Sequence, residues 1–218
     1  MKKAQLRRMI YDGLKPEMPE LAVCHEMICI TPVNSILRGV ILSPLVRSPR
    51  LLRVCTFARP LFCPDAGLSG ATALVVRGLL RFDIWDFDKL EDPKIFQRLL
   101  RRTRRKMRRL SLVDTPERFA KNYVWVFGRR VTGWDWFRIA LSYAHAGHYN
   151  KASRILRRKV LTWEPHHQVH DMLAGYANPV IQAIKEGDYG RMREQFGQWE
   201  EMAIGEFRAV GANLNILY

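Results

Sequence analysis

The segment from Arg98 to Arg109, RLLRRTRRKMRR, constrains the fold of this chain more than any other stretch. Eight of its twelve residues are Lys or Arg, yet the apolar remainder keeps helical spacing. At about 100° per residue, Phe96, Leu99, Leu100, Met107 and Leu110 fall on one side, with Thr103 among them. Arg98, Arg101, Arg102, Arg104, Arg105, Lys106, Arg108 and Arg109 cover the other side. A helix so divided docks its apolar stripe on a core and holds a plate of positive charge toward solvent. These charges exceed half of the formal net +15, so the excess is concentrated and an acidic partner is the first expectation.

The 218 residues suffice for one large domain or two small ones sharing a core. With 48% hydrophobic and 26% charged residues and no long polar tract, the composition is globular and gives no sign of disorder. No segment approaches the roughly 18 uninterrupted apolar residues of a membrane span. The opening MKKAQLRRMIYDGLKPEMPE is basic but has no apolar run behind its charges, and Asp12, Glu17 and Glu20 follow at once. Neither a secretory signal nor a transit peptide is expected, and the location inferred is cytoplasmic. Cys24, Cys29, Cys55 and Cys63 lie in the first third without a CxxC pair, which reads as reduced, partly buried thiols. On a single strand Cys24 and Cys29 would face opposite sides, because their separation is odd.

The period of the hydrophobic pattern changes along the chain. Residues 4–14 form a short helix that ends before Pro16. From about 23 to 63 the pattern is strand-like: HEMICI, SILRGVIL and LLRVCTFAR are broken by Pro32, by a SPLVRSP loop (Ser43 to Pro49) and by Pro60. In LLRVCTFAR, Leu51, Arg53, Cys55, Phe57 and Arg59 share one face and Leu52, Val54, Thr56 and Ala58 the other, as in a half-buried antiparallel strand. A three-stranded meander results, with a further element in ATALVVRGLLRFDIW; within it, 71–81 fits a strand or a helix equally. After Asp92 the period is helical to the end. Asp92-Pro93 and Thr115-Pro116 are N-cap and first-turn pairs, the second opening a helix over 116–127. The expected fold class is α+β: residues 1–90 form an N-terminal helix plus a small antiparallel sheet, and residues 91–218 form a helical unit.

In that helical unit WFRIALSYAHAGHYNKASRIL resembles a tetratricopeptide repeat. Trp136, Ile139, Ala140, Tyr143, Gly147, Tyr149, Ala152 and Leu156 occupy the pattern's positions for Trp, Leu, Gly, Tyr, Gly, Tyr, Ala and a large apolar residue. Pro165 closes the unit one residue late. Forty residues on, Gly187 and Tyr189 stand where Gly147 and Tyr149 stood, but Met192 replaces the small Ala and Pro179 the apolar Leu. The resemblance covers about 135–200 and implies a C-terminal tetratricopeptide-like helical hairpin array. The front half, PVNSILRG followed by FARPLFCP, is similar to a pattern in uncharacterised bacterial proteins that place such hairpins behind a small sheet, and it brings no activity with it.

Sites for chemistry are sparse. HHQVH places His166 and His170 on one helical face, a weak metal-ligand pair whose third ligand would come from Asp171, Glu164 or His145. His145 and His148 flank the repeat turn and read as surface residues. Asp83, Asp86 and Asp88 alternate with Phe82, Ile84, Trp85 and Phe87 and read as the solvent side of an aromatic linker, available to pair with the arginines. No phosphate-binding loop, GxSxG elbow or activated Cys/His pair occurs, so no enzyme and no cofactor is expected. Trp85, Trp125 and Trp134 are the aromatics that repeat packing does not claim.

Two functional expectations follow for the basic face. The first is a non-catalytic protein-binding module of adaptor or immunity kind, whose arginines clamp carboxylates on an acidic partner. The second is sequence-tolerant nucleic-acid binding through Arg98–Arg109, with strong salt dependence. Competing with both is a solvated face partly paired to Glu91, Asp92 or the acidic last helix (Glu194, Glu200, Glu201, Glu206).

Overall fold

Alternating apolar residues and tight turns carry the first part of the chain into a sheet. A computed structural model describes residues 3–24, 27–45, 48–64, 84–86, 88–128, 131–163 and 167–209. Helix α1 (Lys3–Leu14) precedes strands β1 (Leu21–Cys24), β2 (Met27–Ile30), β3 (Ile36–Leu45), β4 (Ser48–Pro60) and β5 (Ile84–Asp86). They form one antiparallel meander in the order β1-β2-β3-β4-β5. The helical part follows: α2 (Pro93–Arg109), α3 (Pro116–Phe127), α4 (Gly133–His145), α5 (Tyr149–Ile155), α6 (His167–Glu186) and α7 (Tyr189–Ala209). The architecture is α+β.

Strand pairing assigns every sheet residue to a face. Ile28, Val40 and Thr56 lie in register, as do Cys29, Gly39 and Phe57 one step along. The first face carries Ile28, Ile30, Ile36, Val40, Leu42, Leu52, Val54 and Ala58, and it joins the main core with Leu6, Ile10 and Leu14 of α1 and Leu99, Leu100 and Met107 of α2. The same cluster continues through Phe137, Ala140, Leu156, Phe196 and Trp199. The second face carries Cys24, Met27, Cys29, Leu37 and Phe57, and is closed by Ala203, Ile204 and Phe207 near the end of α7.

That second layer corrects the expectation of a half-buried strand. The alternation in β4 holds, but Cys55, Phe57 and Arg59 are buried as well as Leu52, Val54 and Ala58. Helix α7 folds back to cover the face that a three-stranded meander would have left to water. The expected SPLVRSP loop is also revised. Strand β3 runs through Pro44 to Leu45 and β4 starts at Ser48, with a register shift between Pro44 and Leu45. Proline is tolerated in a sheet at such an irregularity, where the ladder is already broken. β1 was not anticipated, since the four residues LAVC are too few to show a period. Segment 71–81 lies outside the described residues.

The expected reduced thiols are present and are more deeply buried than expected. Cys24 pairs with Met27 and Ala22 with Cys29, so the two cysteines sit on neighbouring strands of one hairpin and share a face. Odd separation puts side chains on opposite sides only along one strand. All four cysteines are buried and reduced. A hydrogen bond from the Cys29 thiol lowers the Cys24 thiol below its ordinary range; that contact and burial push Cys29 up.

Two buried arginines tie the sheet to its layers. Arg38 of β3 donates to the Leu110 carbonyl at 3.3 Å, just beyond the end of α2. Burial draws its pKa down, opposed by the nearby Asp114 carboxylate. Arg59 of β4, 2% exposed, points the other way, 3.7 Å from Glu206 and over the Phe207 ring of α7. The acidic last helix therefore serves a sheet arginine.

Helix starts follow the sequence signals. Asp92 accepts from the Lys94 amide at 2.8 Å with Pro93 in the first turn, and Thr115 caps α3 ahead of Pro116. Thr132 and Asp135 form a reciprocal capping box at α4, and Asp135 also accepts from the Tyr123 hydroxyl of α3. The pairs α4/α5 and α6/α7 are antiparallel-type helical hairpins with the same turn chemistry. Gly147 (φ 83°) and Gly187 (φ 72°) adopt the left-handed conformation that ends a helix. Their amides bond the Ala144 and Ile184 carbonyls, and the next amides bond Tyr143 and Ala183. α5 runs on into a π turn, Leu156–Val160, marked by the bond from the Leu161 amide to the Leu156 carbonyl at 3.0 Å. Among the described residues no helix is long and apolar enough to cross a membrane.

Candidate functional site

The basic helix is docked as its phase requires. Leu99, Leu100, Thr103 and Met107 are buried, Phe96 half-buried, and Leu110 closes the stripe. α2 lies against α1, β3 and β4, an integral part of the fold. Its cations are thereby sorted by their angle from the stripe.

Arg104 and Arg108 border α1. Glu17, in the connection from α1 to β1, accepts from both: Oε1 lies 2.7 Å from Arg104 and Oε2 3.1 Å from Arg108. One carboxylate thus bridges successive turns of the helix. On the opposite border Arg102 sits over the buried Trp85 ring at 5.7 Å. Lys106 is half-buried. The outer line is different. Arg98, Arg101 and Arg105 are exposed and have no ion pair among the described residues. Helical rise spreads these three over about 10 Å. Arg98, Arg101 and Arg104, with Lys94 and Gln97, also line an open depression of about 500 Å³ at the start of the helix.

The far end of the plate meets an aromatic. Arg109 lies over the Trp125 ring of α3 at 5.9 Å, and Trp125 is 68% exposed. On the same side of α3, Arg118 is paired to Asp114 and Lys121 to Glu117, and His148 also reaches Glu117 at 3.2 Å. The Lys121 contact, then His148, holds the Glu117 carboxyl below its usual range. Trp85 and Trp134 do not contribute a platform. Trp85 is buried, and Trp134 packs on Phe137 and Tyr176.

Of the two metal candidates, His166 and His170, only His170 lies among the described residues. The His170 Nε2–H donates to the Leu161 carbonyl at 3.0 Å, which occupies that nitrogen, and Nδ1 lies 3.7 Å from Asp171. His166 lies outside the described residues, and no group of three potential ligands occurs among those described. Asp86 accepts from the Asp88 amide and faces Lys89, as a turn residue does; Asp83 lies outside the described residues. His145 rests on Phe62 (4.3 Å) and stacks with Phe196 (5.8 Å, 18°).

Sequence reasoning missed Glu17 as the plate's partner, because nothing local links residue 17 to residue 104. It left Trp125 undecided; its place seven residues after Arg118 on one helical side was the available signal. No family model matches the chain, nor does any curated protein or solved structure.

Proposed function

We propose that this chain is a non-catalytic binding module, of adaptor or immunity kind, that docks an acidic protein on the outer face of α2. One observation carries the reading. Glu17 neutralises the inner border of the plate, while Arg98, Arg101 and Arg105 stay exposed in a line on a rigidly docked helix. A row of guanidinium groups on a docked helix suits bidentate capture of carboxylates, because the backbone already sets their spacing. The Arg109–Trp125 contact adds the residue types most enriched at protein hot spots. The hairpin array, similar to tetratricopeptide repeats, supports a protein ligand by association. A cytoplasmic location belongs to the same reading.

The test compares the native full chain with an R98E/R101E/R105E variant as nuclease-treated baits in extract of the native cell. The expected result is an acidic protein held by the native chain and lost by the variant. Identical captures, or nucleic acid alone before nuclease treatment, would contradict it.

A second reading, sequence-tolerant nucleic-acid binding, is favoured by one observation. Trp125 offers an open ring beside Arg109 on which a base could stack. Single-stranded oligonucleotide that quenches Trp fluorescence at low salt, with the quench absent in Trp125→Ala, would support it. No binding at low salt ends it.

A further inference from the structure

A second group of cations stands apart from α2 and takes no part in the function just proposed. α5 and its π turn carry Arg154, Arg157 and Arg158 along one side, and the last turn of α6 brings Lys185 opposite them. Together with Ser153 and Ile184 they line an open groove of about 480 Å³. None of the four cations has an ion pair among the described residues, and no carboxylate lines the groove. Glu186, the next residue along α6, instead accepts a hydrogen bond from Gln182.

Hairpin packing does not require these charges. At the repeat offset of forty residues, Arg154, Arg157 and Arg158 correspond to Glu194, Gly197 and Gln198 on α7. The second hairpin builds the same turn without them. Arg154, Arg157 and Arg158 stand at i, i+3 and i+4 and share the groove side as helical spacing requires, and the π turn that holds Arg157 and Arg158 is of a kind that recurs at functional sites.

We propose that this groove is an anion site for a short run of linked phosphates. Its volume is in the range of small-ligand sites. Three guanidinium groups offer paired N–H donors to phosphate oxygens, Lys185 adds a point charge and Ser153 a hydroxyl. Among the described residues no aromatic ring lines the groove, so the phosphate array itself is what these side chains read.

The experiment titrates the full chain at physiological salt with inorganic tripolyphosphate and, in a second arm, with a nucleoside triphosphate. The proposal expects saturable one-to-one binding of both, with similar affinity. An R157Q/R158Q variant weakens it about ten-fold or more, as expected for lost charge-assisted hydrogen bonds. Lys185→Gln weakens it in the same direction from the opposite wall. An R7Q/R8Q variant removes the same formal charge from α1 and leaves affinity within about two-fold, because screened distant charges contribute little. Four outcomes overturn the proposal: no saturable binding, binding of the nucleotide alone, insensitivity to R157Q/R158Q and K185Q, or an equal loss in R7Q/R8Q.

Discussion

Tyr149 and Tyr189 stack ring on ring, with centroids 3.9 Å apart and planes 8° from parallel. Each is the first residue of the second helix of its hairpin, two positions after a left-handed glycine. The stack is thus a contact between equivalent points of two successive units, and it fixes how one hairpin sits on the next. If so, truncating either ring weakens the other's contribution. A double-mutant cycle on Tyr149→Ala and Tyr189→Ala, followed by urea unfolding, should give a coupling of about 0.5–1.5 kcal/mol beyond lost burial.

The glycine turns are open in space. A β-carbon at Gly147 or Gly187 would meet nothing within 4 Å, so the whole cost of Ala there is conformational. Gly147→Ala and Gly187→Ala should each destabilise by about 1–2 kcal/mol. Gly175, inside α6 and equally open, should respond in the opposite sense. Gly175→Ala is expected to stabilise by about 0.5–1 kcal/mol, read from the same denaturant curves.

His145 makes stability depend on pH. Its ring packs against Phe62 and Phe196, which also touch each other, and the partial loss of water around it draws its pKa below the ordinary histidine value. The neutral ring is therefore favoured in the fold. Its contribution is complete above the unfolded-state pKa and is lost as pH falls through that value toward the depressed native one. Unfolding free energy measured from pH 7.5 down to 5 should fall in the native chain, and His145→Phe should remove part of that slope.

Glu17 joins α1 to α2 through Arg104 and Arg108 at the surface. Glu17→Gln should cost no more than about 1 kcal/mol, and less at high salt, because exposed ion pairs are screened. The same change releases two more arginines to the plate. Affinity for an acidic partner should rise as stability slips, a pattern that binding and melting experiments on one preparation would show.

The helical phase of Phe96, Leu99, Leu100, Met107 and Leu110 was legible because an amphipathic stripe repeats within a few residues. The caps at Asp92 and Thr115 were legible for the same local reason. What stayed hidden depends on residues distant in sequence. Arg59 is buried because Phe207 lies over it, and no window around residue 59 contains residue 207. Cys24 and Cys29 share a face because the chain reverses between them, which turns an odd separation along one strand into a cross-strand neighbourhood. By itself Pro44 signals a strand break, yet it stands where the ladder already shifts. At the basic face, sequence supplied the eight cations. Only the packing of α1 against α2 separated the pair that Glu17 holds from the line that faces outward.

On the function proposed, the outer line of α2 is a binding surface. The most direct measurement is the affinity of the native chain and of R98E/R101E/R105E for the captured acidic protein across a salt series. The variant should melt with the native chain, bind about ten-fold or more weakly at low salt, and show a flatter salt dependence. Equal affinities with equal salt slopes would contradict it.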